Sequence, residues 1–281
     1  MTLRWHTLRR WPVVPVAIIT ALVVCAVFAP LLAPHDPTVG ELTDRNIPPA
    51  WYPQGSSEHL LGTDALGRDV LSRIIYGTRI SLLVAAIVLS AGAVGGTLLG
   101  LLAGWLGGLY DELAMRFVDF TLAVPFILVA LVVVIVLGQS LAIVITLLII
   151  FSWNSFSRQV RGETLQIKNM DYVSMAKVAG ASSPHILYRH LLPGVINTVM
   201  VLVSLRVGSL IITESVLSYL GVGIPPPTPA WGLMVAEGKD YITTAWWITF
   251  FPGLAIFLTV LAFNFLGDWL RDRFDPRLRQ I

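Results

Sequence analysis

The stretch 171–193 reads DYVSMAKVAGASSPHILYRHLLP and interrupts two long apolar runs with a polar segment carrying Lys177, His185, Arg189 and His190. Over 171–179, Val173, Ala176 and the Val178/Ala179 pair recur on roughly one side, the pattern of a short amphipathic helix. Gly180 then supplies a residue at ease with the positive φ of a helix stop, and Pro184 suits the first turn of a second helix. That second piece, 185–192, leads to Pro193, the expected entry to the next apolar run. The prediction is two short helices at an angle, joined by a glycine elbow and projecting from one face of a membrane.

Composition agrees with a membrane setting. Apolar residues make up 56% of the 281-residue chain and charged residues 13%, about half the charge of a soluble domain. Mean hydropathy is +0.76. The length has room for about six spans of about 20 residues. The single Cys25 lies inside the first apolar run, so neither a disulfide framework nor a cysteine metal site arises within this chain. There is no Walker motif and no dinucleotide fingerprint. The glycine clusters at Gly95-Gly96 and from Gly104 to Gly108 sit in or beside a membrane run and read as helix-packing positions.

In order, a basic start with Arg4, Arg9 and Arg10 precedes the apolar run 13–32. This resembles a secretory signal, but the run is long and lacks a small-x-small cleavage site, so a retained first span is expected. Residues 34–78 form the longest polar segment, irregular in its first half. Thr63 or Asp64 is placed to cap a helix running from Gly67 toward Arg79. Leu66, Val70, Leu71, Ile74 and Ile75 share one face of it, as in a helix lying on a membrane surface. Further spans are expected at 80–102, 112–137, 141–157, 194–220 and 246–266. Gly92, Gly96 and Gly100 give the second span a smooth face, and a short polar turn follows at 104–113. Arg116 and Asp119 are spaced to pair at the start of the third span, and Pro125 to kink it. Gly138-Gln139-Ser140 reads as a tight hairpin. Residues 221–241, with Pro225-Pro226-Pro227 and Trp231-Gly232, read as irregular.

Two charges fall deep in the fifth span. Arg206 and Glu214 are candidates for a translocation pathway, because ionisable groups are costly in a bilayer. Eight residues put them about 12 Å apart along a helix, too far to pair with each other. Structural bonding to a neighbouring helix is an equal alternative. Orientation follows from the basic residues. Thirteen lie with the termini and the 158–192 loop (Arg116, Arg158, Arg161, Lys168, Lys177, Arg189, Arg271 and Arg273 among them), against five on the other side (Arg45, Arg68, Arg73, Arg79 and Lys239). The positive-inside rule then places both termini and that loop in the cytoplasm. Trp246 and Trp247 are expected as interface anchors at the outer end of the last span.

Several strings carry a family resemblance. Gly180 and the closing Leu191-Leu192-Pro193 resemble the cytoplasmic coupling loop of ABC importer permeases, although Ser174 and Met175 stand where that loop has glutamate and alanine, leaving Ala176 from the triplet. The string from Leu61 to Arg73, with Gly62, Thr63, Asp64, Gly67, Arg68 and Asp69, resembles the signature after the first span of dipeptide/oligopeptide/nickel permeases. Stretches 214–223, 251–256, 264–272 and 275–277 look like the rest of that family. The position of the Gly-Arg-Asp string favours its C-type member.

The resemblance implies an all-α polytopic membrane protein with six transmembrane helices in the type I, MetI-like importer fold. The divisions are 1–33, an N-terminus and first helix; 34–78, an extracytoplasmic loop with an interfacial helix; 79–270, a five-helix core; and 271–281, a basic cytoplasmic tail. It implies a non-catalytic permease subunit of an ATP-driven importer of dipeptides, oligopeptides or related small ligands, in the cytoplasmic (inner) membrane. Its partners would be a second homologous permease in a heterodimer, two ABC ATPase subunits, an extracytoplasmic substrate-binding protein, the ligand and membrane lipid, with no nucleic acid. No cofactor or metal would be bound by this chain; ATP and Mg would sit on the ATPases. Tyr172, Ser174, Met175, Ala176, Lys177, Gly180, Ala181 and Ser182 would contact an ATPase, without the ion pair a glutamate would make. The alternative is a self-sufficient secondary transporter or channel, which often shows inverted repeats; no repeat relates 1–140 to 141–281. A membrane anchor or receptor without transport is a third reading.

Overall fold

The computed structural model describes residues 12–274, and among them every element is helical apart from one isolated bridge between Thr63 and Asp69. The basic positions Arg4, Arg9, Arg10, Arg277 and Arg279, and most of the expected tail, lie outside the described residues. Helix α1 (Val13–Val27) is apolar with no buried residue, and one further turn, Ala29–Leu32, follows a break at Phe28. Pro34 and Pro37 then take the chain into the long loop. The remaining helices are α2 (Val70–Leu106), α3 (Gly108–Ala123), α4 (Phe126–Leu137), α5 (Leu141–Ile167), α6 (Asp171–Val178), α7 (Ser183–Tyr219), α8 (Trp231–Gly238) and α9 (Trp247–Phe274).

Four of these, α2, α5, α7 and α9, are long and apolar enough to cross a membrane, and α3 with α4 makes a fifth if the bent pair is one span. The bend is 77°, at the break containing Val124 and Pro125, so the expected kink is a sharp corner. Proline's missing N–H and the clash of its ring with the preceding turn account for a break at this place. Outward-facing Leu98, Phe120, Ile135, Val136, Phe257 and Phe265 are all more than half exposed, which water disfavours and lipid or a partner helix accepts.

The chain divides into two compact units of discontinuous segments. One takes the chain up to Ala86 with Ala130–Val144 and Val207–Leu266; the other takes Ile87–Val129, Ile145–Arg206 and the chain from Gly267 on. The first has its core around Val70, Leu217, Ile224, Trp231, Met234 and Ile248. In the second, α2 packs on α5 along Gly92, Gly96, Gly100 and Gly104, which face Ser152, Phe156, Ser157 and Thr164 in turn. A Cβ on Gly100 would stand 2.6 Å from the Ser157 carbonyl oxygen, so only glycine lets these backbones approach so closely. Lys168 closes the contact, donating from Nζ to the Gly104 carbonyl oxygen at 2.6 Å.

Several expectations are corrected. Helix α2 is continuous, so the predicted surface helix at 67–79 forms its opening turns, and its polar residues Ser72 and Arg73 are buried while Leu66 is exposed. The cap is Asp69, whose Oδ2 accepts from the Ser72 N–H at 2.7 Å, rather than Thr63 or Asp64. Gly104 belongs to α2, and the polar turn after it shrinks to Gly107. Gly95, expected to pack, meets nothing within 4 Å. Arg116 pairs with Glu112 at 2.7 Å rather than with Asp119, the favoured order with the acid four residues N-terminal; Asp119 pairs instead with Arg158. Helix α5 runs ten residues past the expected end and carries Arg158 and Arg161. Residues 221–241 contain buried α8. Trp247 is 5% exposed and donates to the Thr63 carbonyl oxygen at 3.0 Å, so it is a core residue and not an interface anchor.

Candidate functional site

The projecting segment 171–193 folds as an elbow in the second unit. Helix α6 ends in the backbone pattern expected of a glycine stop: Gly180 has φ +81°, its N–H reaches the Lys177 carbonyl, and the Ala181 N–H reaches that of Ala176. Pro184 lies in the first turn of α7. The second half is not a separate short helix. Residues 183–192 run straight into the following span through a π-helical turn, Leu187–Leu191. This wider turn directly precedes Pro193, where an ordinary turn would set the proline ring against a carbonyl four residues back.

Only Val173 of the predicted apolar side of α6 is buried; Ile186 and Leu191 hold α7 beneath it. Val178, expected on the covered side, is 91% exposed, and Met175 is 71% exposed. Tyr172 and, on α7, Tyr188 are also exposed. Ser174, Lys177, Gly180 and Ser182 are exposed, and Ala176 and Ala181 are half-buried. The Lys177 ammonium stands over the Trp105 ring, 4.8 Å from its centroid, which ties the elbow to the end of α2. A short polar-looking segment thus presents an uncovered apolar surface, set out by Tyr172, Met175 and Val178 around a backbone turn with nothing within 4 Å of a Cβ on Gly180.

The string from Gly62 to Asp69, in the first unit, is buried apart from Ala65 and Leu66. Asp64 organises it, accepting from the Leu66 N–H at 2.8 Å, the Arg68 N–H at 3.0 Å, Arg68 Nε at 2.7 Å and Arg73 Nη1 at 2.5 Å. Glu237 of α8 receives both arginines, at 2.9 Å from Arg68 and 2.8 Å from Arg73. Arg73 is wholly buried, with no hydrogen-bond partner for Nε or Nη2 among the described residues. Thr63 is held by the Ile47 backbone and by its hydroxyl donating to the Asp44 carbonyl. Gly67, at φ +75°, backs onto the Glu41 carbonyl, where any Cβ would collide. The string therefore ties the 34–69 loop to α2 and α8. Glu237 lies 169 residues from Arg68, and no spacing in the sequence pointed to it.

Of the two charges in α7, Glu214 is buried. It is 2% exposed; one oxygen accepts from Ser218 Oγ at 2.7 Å and Oε2 has no hydrogen-bond partner among the described residues. Arg206 is on an exposed face of the helix.

Comparison with known proteins gives two family matches. Residues 96–280 match the binding-protein-dependent transport system inner membrane component, and residues 5–49 match the N-terminal TM domain of oligopeptide transport permease C. The Gly62–Asp69 string falls between the two. The dipeptide transport system permease protein DppC of Haemophilus influenzae is 41% identical over 94% of this chain and 88% of its own length. The glutathione transport system permease protein GsiD of Pectobacterium atrosepticum is 48% identical over 80% of this chain and 74% of its own. The DppC of Bacillus subtilis is 40% identical over 94% and 81%.

Proposed function

Since the chain belongs to the family of binding-protein-dependent transport system inner membrane components, we propose that it is the C-type permease subunit of an ATP-driven importer of dipeptides, oligopeptides or related small ligands. It is an inner-membrane protein. Relatives named for dipeptide and glutathione transport support a peptide-like cargo. In this reading the chain hydrolyses nothing itself. ATP and Mg act on two partner ATPases, a second homologous permease completes the pathway, and an extracytoplasmic binding protein delivers the ligand. The six spans are α1 with its added turn, α2, the bent pair α3–α4, α5, α7 and α9. The 20 residues from Val13 to Leu32 reach about 30 Å as helix, enough for a bilayer core. Both termini and the elbow face the cytoplasm.

The observation that carries the proposal is the elbow's apolar surface, uncovered in this chain and shaped to enter a cleft. Tyr172, Met175, Val178 and the Gly180 turn seat in one ATPase. The apolar contact takes over the role of the ion pair that Ser174 lacks, and ATP-driven closure of the ATPases moves the pathway between two global states. Val178→Asp places a charge where burial would follow docking, at a residue with almost no intramolecular contact. In the assembled, reconstituted transporter it is expected to lower ligand-stimulated ATP hydrolysis at least about tenfold, since an unpaired buried charge costs about 3–5 kcal/mol and each 1.4 kcal/mol is about tenfold, with unchanged yield of the chain. Wild-type coupling in that variant would remove the elbow from the ATPase interface. Glu214 and Arg206 are proposed to line the pathway.

A further inference from the structure

Three side chains distant in sequence converge where the 34–69 loop meets the start of α2. His59 Nδ1 stands 3.1 Å from Asp69 Oδ1, and His35 Nδ1 stands 3.9 Å from Asp69 Oδ2. The two imidazole rings lie 4.7 Å apart at 37°. One ligand atom from each residue falls within 4.8 Å of the others. The Asp69 and His59 side chains are 1% and 10% exposed and that of His35 38%, so the cluster is enclosed on all but the His35 side.

A hydrogen bond accounts for only half of this. His59 can donate from Nδ1 to Asp69, but His35 faces the same carboxylate from beyond hydrogen-bonding distance. Donor atoms bound at 2.0–2.2 Å around a tetrahedral ion are roughly 3.4 Å from one another; His59 Nδ1 and Asp69 Oδ1, at 3.1 Å, are near that value, and the His35 donor, within 4.8 Å of the others, needs only a small side-chain movement to join them. The donors are also held from behind. The His35 backbone N–H donates to Ser72 Oγ at 3.0 Å, anchoring the loop beside α2, and the Ser72 backbone N–H donates to Asp69 Oδ2 at 2.7 Å, an outer-shell bond that orients the carboxylate. We infer that His35, His59 and Asp69 form a binding site for a first-row divalent ion of the zinc class, with a fourth position open on the His35 side. Two imidazole nitrogens and one carboxylate oxygen suit such an ion, whereas calcium and magnesium take oxygen shells. Both histidines bind as neutral imidazoles through Nδ1; the Nδ1 proton of His59 is exchanged through solvent for one on Nε2, so the ring stays neutral. The ion clips the loop between His35 and Asp69 onto the first turn of α2. The lone Cys25 excluded only a cysteine site, and the family resemblance implied no metal; the two histidines are 24 residues apart and meet only in the fold.

The test is zinc content of the purified full-length protein in detergent, stripped with EDTA, dialysed against Zn²⁺ and passed through gel filtration. One zinc per chain is expected, bound at least about tenfold more weakly in His35→Gln and in His59→Ala, since even outer-shell changes cost metal sites 10–100-fold. His185→Ala/His190→Ala, which removes the other close histidine pair, with rings 6.1 Å apart, is expected to bind as wild type. Co²⁺ in place of zinc should show the visible absorption of a four-coordinate site. His35 is partly exposed, so His35→Gln keeps the test open if His59→Ala does not fold. The proposal is overturned if wild type retains no zinc, or if both loop variants retain zinc as tightly as wild type. Neither result depends on transport.

Discussion

At the scale of single residues, the chain's hardest electrostatic problem is Arg73, fully buried yet shared between Asp64 and Glu237. A buried pair contributes little net stability, but removing one partner strands the other charge and costs about 3–5 kcal/mol. Glu237→Ala is therefore expected to lower the unfolding midpoint of the purified protein markedly; an unchanged midpoint would mean that Asp64 alone satisfies both arginines. Glu214 poses a different question. One of its oxygens has no hydrogen-bond partner among the described residues; under the pathway role proposed for it, Glu214→Gln is expected to slow ligand uptake by the reconstituted transporter while leaving yield intact. Equal uptake would leave the carboxylate a structural role. The sequence singled out Glu214 because a charge among apolar residues stands out, and Arg68 and Asp64 through the string that resembles a family signature. It was silent on Glu237 and on the meeting of His35 with His59, because neither pairing has a local spacing.

At the scale of elements, local signals were legible where the backbone itself sets the answer. Gly180 does stop α6, Pro125 does break the third span, and the four-residue glycine spacing does mark a close helix contact. Ends of helices were not legible, since α2, α5, α7 and α9 each run past the apolar run that signals them. Their polar extensions are held by tertiary contacts such as Arg161 on Asp111, at 2.6 Å, which periodicity does not report. The same reason made Val178 look covered: of the apolar side of α6 only Val173 is buried. Close packing of α2 on α5 gives a paired prediction. Gly100→Leu puts a side chain into the Ser157 backbone and should destabilise the protein by about 1–3 kcal/mol, whereas Gly95→Leu enters open space and should be nearly silent in the same thermal assay. Equal effects would show that helix propensity, not packing, governs the stripe.

At the scale of the whole molecule, the class of the protein was legible because apolar runs, basic loops and the elbow all point to one family. The arginines of the 34–78 loop, on the proposed outer side, run against the simple charge rule, and the structure supplies a reason for two of them: Arg68 and Arg73 are neutralised by Asp64 and Glu237. Topology can be read directly in cells. With Cys25 replaced by serine, a cysteine at exposed Trp51 should react with a membrane-impermeant maleimide from outside, and one at exposed Met175 only after permeabilisation. The reverse pattern would invert the orientation. The clasp between the 34–69 loop and α8 also fixes an order of events. Its last member follows Arg68 by 169 residues, and at 5–20 residues per second a ribosome needs on the order of ten seconds or more to supply it. Throughout that interval the nascent chain carries two arginines answered by one aspartate. The loop gains its last ion pairs only once α8 has arrived, so a chain truncated before residue 237 is expected to leave the 34–69 loop more open to protease than the full chain does.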